Sequence, residues 1–186
     1  MLDAKVLGTI DELEAFQEAR PDSWNVPRDE GMILHALALG AGAKQIAEVG
    51  TSYGFSGLFL AAAAKQNAGR LHTFEKNEAK HEHARKMFDK AGLADAITLY
   101  TGDARKRLVE LPDGIDFLFL DATKAETQEY WDAVTNKLAR QCTVTVDNTE
   151  NLAAQMADFV EFLHALDDFH VCHIPCPHGL ELAVRT

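Results

Sequence analysis

From residue 45 onward the chain alternates short apolar runs with helical patterns. This predicts an α/β fold: a doubly wound, mostly parallel, seven-stranded sheet closed by an antiparallel C-terminal hairpin. Three observations carry the prediction. The runs at 45–50, 70–75, 96–100, 115–121 and 143–147 are each separated by a helical stretch, as parallel crossovers require. The run 115–121 (Ile-Asp-Phe-Leu-Phe-Leu-Asp) is apolar almost throughout, which suits a central strand covered on both faces. The last two runs, 169–174 and 181–185, are joined only by a turn at Pro177, His178 and Gly179. A parallel crossover needs about a dozen residues or more, so this pair is antiparallel.

The helices follow from spacing and capping. Residues 10–20 have an amphipathic period, and 27–39 read as a second helix with Pro27 early, where its missing N–H is not needed. Residues 1–40 are therefore expected to form a helical cover on a single domain spanning 1–186. An alanine-rich helix is expected at 57–65. The helix at 77–90 has Asn77 as N-cap and Gly92 as the left-handed stop. Further helices are expected at 103–111, 126–139 and 152–166.

Composition narrows the function. At 186 residues and 47% hydrophobic content the chain can bury a core without staples. A net charge of −11 repels phosphate backbones and argues against a nucleic-acid partner. Three cysteines (Cys142, Cys172, Cys176) are no disulfide framework and suit a reducing, cytoplasmic compartment. No apolar run reaches the ~18 residues of a membrane span, and the acidic start does not read as a signal peptide.

Ligands of open parallel sheets bind beyond the carboxyl ends of the strands. There the sequence delivers Glu48-Val-Gly50-Thr-Ser52-Tyr-Gly54, then Glu75, Gly102-Asp103, Asp121, and Asp147-Asn148. Carboxylates gathered at one edge repel unless a cation sits among them. Gly50 and Gly54 allow a ligand close to the backbone, but the glycine spacing is not that of a pyrophosphate loop. Glu75, 25 residues after Gly50, can accept from ribose hydroxyls. A nucleoside ligand without a pyrophosphate fits, and S-adenosylmethionine is one. Asp121, Asp147 and Asn148 offer hard oxygen ligands for a divalent cation such as Mg²⁺, with Mn²⁺ or Ca²⁺ also open. Lys124, three residues beyond Asp121, is the candidate general base.

The same stretches resemble the cation-dependent O-methyltransferases of the catechol and caffeoyl-coenzyme A type. They are Val26-Pro-Arg-Asp-Glu-Gly31, Glu48 to Ser56, Thr73-Phe-Glu-Lys-Asn77, Gly102-Asp-Ala104, Phe117 to Lys124 and Val146-Asp-Asn148. The resemblance implies a Rossmann-like class I methyltransferase fold and a homodimer. It implies cofactor contacts from Val26, Glu48, Gly50, Ser52, Tyr53, Gly54, Ser56, Glu75, Lys76, Asp103, Ala104 and Asp121. Asp121, Asp147 and Asn148 match the family's metal ligands, and Lys124 matches the lysine that takes the acceptor proton. The implied reaction methylates a hydroxyl of a small catechol-like or phenolic acceptor. Bacterial relatives that act on a hydroxylated tRNA base give the alternative acceptor. Thr123 stands where plant members often carry Asp, and Asn148 is followed by Thr149, Glu150 and Asn151.

Other patterns are weaker. Gly50-x-Ser52-x-Gly54 spells a nucleophile elbow, with Asp121 and His178 downstream, but no strand is expected before residue 45 to complete an oxyanion hole. Cys172, His173, Cys176 and His178 fit no standard zinc spacing, and both cysteines are expected to be buried small apolar residues. His81 and His83 are expected to be solvated.

Overall fold

A computed structural model describes residues 2–186. Seven strands form one sheet in the order β3-β2-β1-β4-β5-β7-β6. The strands are β1 (Gln45–Val49), β2 (Arg70–Glu75), β3 (Ile97–Thr101), β4 (Ile115–Leu120), β5 (Leu138–Asp147), β6 (Phe169–Ile174) and β7 (Leu180–Arg185). The first five are parallel, while β7 runs antiparallel to both neighbours and lies between β5 and β6.

Strand alternation divides the core in two. Ile46, Leu71, Phe117 and Phe119 pack with the helices α1 (Ala4–Glu18), α2 (Arg28–Gly40), α3 (Phe55–Gln66) and α4 (Glu78–Ala91). Ala47, Val49, Leu118, Leu120, Val144 and Val146 face the opposite way, toward α6 (Thr127–Val134) and α7 (Ala153–His164). Every residue of α3 from 55 to 64 is buried, because this helix is packed against both the sheet and the two N-terminal helices. That explains its all-round apolar sequence.

Most expected boundaries hold within a residue or two. Asn77 caps α4 by accepting from the Ala79 and Lys80 N–H groups, and Gly92 closes it at φ +70°. Four elements differ more. The first helix begins at Ala4 rather than near residue 10, because the Asp3 carboxylate accepts from the N–H groups of Lys5 and Val6. The helix expected at 126–139 stops at Val134, and β5 already begins at Leu138. The register with β4 shifts after the Ile115–Leu138 pair, and the Arg185 guanidinium donates to the carbonyls of Leu138, Ala139 and Arg140. Those carbonyls are thereby satisfied without a helix. The expected helix at 103–111 is only α5 (Ala104–Arg107) followed by a 3₁₀ turn.

Candidate active site

A cleft of about 920 Å³ lies at the carboxyl edge of the parallel strands. Its walls come from the ends of β1, β2, β4 and β5, the segment before α2, and the turn between β6 and β7. Gly50 stands at the crossing of two strand ends: a Cβ there would meet the Asp121 carbonyl oxygen at 2.1 Å, and its φ is +111°. Only glycine allows this approach.

One half of the cleft carries Gly50, Ser52, Glu75, Lys76, Asp103 and Ala104. Glu75 accepts the Ser52 N–H at one carboxylate oxygen and the Asn77 N–H at the other, both at 2.8 Å. This fixes the first loop against the second strand and leaves lone pairs for further donors. Asp103 caps α5 and takes both sides of the Arg105 guanidinium, which holds its carboxyl down at about 2.

Five of the residues expected on the cofactor do not line the cleft: Val26, Glu48, Tyr53, Gly54 and Ser56. They stand behind its wall. Glu48 is fully buried and accepts from Ser56 Oγ at 2.6 Å and Thr73 Oγ1 at 2.5 Å. Since Thr73 donates there, the Thr51 hydroxyl must donate to Thr73. Burial pushes the Glu48 carboxyl up to about 7, against the pull of the two hydroxyls. Ser56 faces this carboxylate from the first turn of α3, for which Gly54 is the left-handed N-cap. Tyr53 donates to Asp22 at 2.6 Å and meets Phe16 edge-on, tying the segment before α2 to the first loop. Val26 is buried in the core of that segment.

The other half carries Asp121, Lys124, Asp147, Asn148 and His178. Lys124 Nζ donates to Asp121 Oδ1 at 2.6 Å, with side chains only 9% and 11% exposed. Burial raises the Asp121 pKa; the Lys124 ammonium opposes this, and the Asp147 and Glu48 carboxylates add to it. Asp147 is 1% exposed, and its Oδ1 has no hydrogen-bond partner. Asn148 has a left-handed backbone (φ +68°), and its amide nitrogen is engaged by Asn151 at 3.0 Å. The amide oxygen is the atom left to ligate. His178 Nδ1 lies 3.5 Å from both Asp147 Oδ2 and Glu30 Oε2.

Sequence reasoning missed several wall residues. Trp24, Tyr130, Asn151 and Gln155 line the cleft, and Trp24 is 76% exposed at its mouth. An isolated aromatic in a segment without periodicity gives no signal of that kind. Glu30 was visible within a motif but not as a neighbour of Asp147, because that contact joins α2 to the end of β5.

The competing patterns fare poorly. Ser52 has φ +48°, as an elbow would, but its hydroxyl faces Lys80 Nζ at 3.4 Å rather than an imidazole. Cys172 is exposed and Cys176 half-buried, contrary to expectation, since Cys172 lies on the outer strand β6. The expected apolar role therefore fails for Cys172. Burial pushes the Cys176 thiol up to about 12, helped by the Glu30 carboxylate, which keeps it protonated. His173 is engaged by Glu181 at 2.8 Å and Glu150 at 2.9 Å. His83, expected in solvent, stacks on Phe16 with ring centroids 4.3 Å apart.

The profile of the O-methyltransferase family matches residues 5–182. A catechol O-methyltransferase of Niastella koreensis is 36% identical over 63% of this chain, and the match spans about half (54%) of that relative's length. A catechol O-methyltransferase of Mycobacterium tuberculosis is 32% identical over 79% of this chain and 69% of its own. Among solved structures, the O-methyltransferase TomG of Streptomyces achromogenes, crystallised with S-adenosylmethionine, superposes with a TM-score of 0.86 at 26% identity, covering 99% of this chain and 90% of that one. The fold is also that of a Bacillus cereus O-methyltransferase in complex with S-adenosylhomocysteine (TM-score 0.85, 22% identity, 99% and 92% coverage). With a cleft of this construction and a profile match over nearly its whole length, the chain belongs to the O-methyltransferase family.

Proposed function

We propose that this chain transfers a methyl group from S-adenosylmethionine to a hydroxyl of a small catechol-like or phenolic acceptor, with a divalent cation at Asp121, Asp147 and Asn148. The observation that carries the reading is the imbalance of charge in the cleft. Asp147 is buried with an unpartnered oxygen, close enough to raise the Asp121 pKa, while the Lys124 ammonium is already paired to Asp121. Three oxygen donors short of positive charge suit a hard dication, so the residues fit the group.

A dication held by Asp121, Asp147 and Asn148 would lower the pKa of the acceptor hydroxyl and help to fix its position. S-adenosylmethionine supplies an activated methyl group on sulfur. The chain's own residues do the rest. Glu75, held by two backbone N–H groups, accepts from the ribose. Gly50 and Ser52 give the cofactor close access to backbone, and Lys76, Asp103 and Ala104 complete that wall. Lys124, 2.6 Å from Asp121, is the general base for the acceptor proton. Val26, Glu48, Tyr53, Gly54 and Ser56 act by shaping the loop rather than by touching the cofactor. Holding oxygen and methyl in line is the larger part of catalysis for such a displacement.

In this reading residues 2–40 cover a single domain that takes in the rest of the described chain, and Met1, counted in the expected cover, lies outside the described residues. A homodimer through α1 and α2, where Leu7 and Met32 are exposed, belongs to it and is tested by sedimentation equilibrium. No helix among the described residues is long and apolar enough to cross a membrane.

The deciding experiment is methyl transfer from S-adenosylmethionine to a panel of catechols, with Mg²⁺ and with chelator. Turnover that disappears with chelator is expected. Asp121→Ala should abolish it while calorimetry still detects cofactor binding; full activity in that variant would sink the metal assignment.

A further inference from the structure

We propose that Glu30, Asp147 and His178 form a second binding site, for a divalent first-row transition ion, distinct from the Asp121 and Asn148 ligands and sharing only Asp147 with them. Among the described residues this is the one group of histidine, cysteine and acidic side chains whose ligand atoms all lie within 4.8 Å of one another. It is assembled from three distant parts of the chain: α2, the end of β5 and the β6–β7 turn.

The site is built rather than accidental. Glu30 is 0% exposed, and its Oε1 accepts the His178 backbone N–H at 2.6 Å. The turn is held from the other side, where the His178 carbonyl accepts from Glu150 and Asn151 at 2.9 and 3.1 Å. Gly179, at φ +79°, packs so closely that a Cβ would lie 2.5 Å from the Glu150 nitrogen. With backbone and one oxygen fixed, three buried atoms are left without a hydrogen bond of ordinary geometry, Glu30 Oε2, Asp147 Oδ1 and His178 Nδ1, and the Cys176 thiol is the further polar group against the Glu30 carboxylate. The imidazole nitrogen stands 3.5 Å from Glu30 Oε2 and 3.5 Å from Asp147 Oδ2. That is long for a hydrogen bond. It is close to the ~3.0–3.4 Å edge between two ligands that share an ion at bond lengths of about 2.1 Å.

Chemistry selects the ion. Two buried carboxylates repel each other, and one imidazolium offsets only one of them, whereas a dication offsets both. An imidazole nitrogen among carboxylates favours Mn²⁺ or Zn²⁺ over Mg²⁺. His178 also lines the main cleft, which gives the ion a route in.

Because Asp147 is shared, this inference rests in part on the reading above, and the test separates the two. Mn²⁺ binding is measured by equilibrium dialysis and electron spin-echo spectroscopy on the full chain. A Mn²⁺ coupled to an imidazole nitrogen is expected in the unaltered protein. His178→Ala should remove the nitrogen coupling, and Glu30→Gln, which keeps an acceptor for the His178 N–H, should weaken that ion at least tenfold. Asp121→Asn and Asn148→Ala should leave the coupling in place. Circular dichroism verifies that each variant is folded. A Mn²⁺ without nitrogen coupling that Asp121→Asn removes would overturn this site and leave the first one standing. Coupling or affinity indifferent to both Glu30→Gln and His178→Ala would overturn it as well. A nitrogen-coupled ion beside a turnover that ignores Asp121 would do the opposite, sustaining this site and sinking the first.

Discussion

The two halves of the cleft are built on opposite electrostatic terms. Around the ends of β1 and β2, every carboxylate has its donors: Glu48 has two hydroxyls, and Glu75 has two backbone N–H groups. Around the ends of β4 and β5, Asp147 and Glu30 each keep a buried oxygen with no partner. An unsatisfied buried acceptor costs about 1–3 kcal/mol, more when charged. The first half is thus a finished surface for a ligand that adds only hydrogen bonds. The second is unfinished until positive charge arrives. The difference teaches where pre-organisation ends: the chain settles its own polar groups on one side and leaves a deficit on the other.

Substitutions can break or sharpen that contrast. Asp147→Asn should have the largest effect, because it removes the deficit itself. Losing metal-assisted stabilisation of several kcal/mol should lower methyl transfer on the order of 10³–10⁴-fold in an initial-rate assay. The same change should raise the Tm of the metal-free protein by roughly 2–4 °C for each kcal/mol of relieved repulsion, read by calorimetry. Activity and stability would then move in opposite directions, which no wall residue of the first half should show. Lys124→Met should reduce kcat about 10³-fold while leaving cofactor affinity within twofold by calorimetry, as loss of a general base predicts.

Glu48 tests the finished half through pH. Its folded-state carboxyl titrates near 7, above its ordinary value of 4.5, so the folded protein binds more protons between those values. Stability tied to Glu48 is therefore full below about pH 4.5 and is lost as pH rises through 7. Denaturant midpoints should fall across that window, by the equivalent of up to about 3 kcal/mol, and Glu48→Gln should flatten the slope. The smallest effect is expected at Glu75. Glu75→Gln keeps one acceptor oxygen, so the S-adenosylmethionine Kd should rise only about tenfold, worth ~1.4 kcal/mol, with metal binding unchanged.

The contrast also bears on what the sequence discloses. The order of strands and helices was legible because each strand is a short apolar run and each crossover is long enough to be helical. The edge carboxylates were legible because strand ends can be counted. What could not be read was which side of the loop each residue takes. Ser56 and Gly54 lie beside Ser52 in sequence, yet α3 begins there and turns Ser56 down onto Glu48. The early start of β5 was hidden too, since it depends on Arg185, 45 residues from the Arg140 carbonyl that it caps. Glu30 and His178 meet across 148 residues, a contact with no periodic signature.

The insertion of β7 between β5 and β6 has a consequence for how the chain is made. Synthesis delivers β5 and then β6, but neither can take its final neighbour until residues 180–185 have left the ribosome. Until then the edge of β5 is an open template for strand pairing, in a stretch that carries Val144 and Val146. The Glu30–His178 contact closes at the same late moment, so the nascent chain carries its acidic cleft before it owns the turn that completes it. Ribosome-bound intermediates halted before residue 180 should therefore be the species that chaperones hold longest.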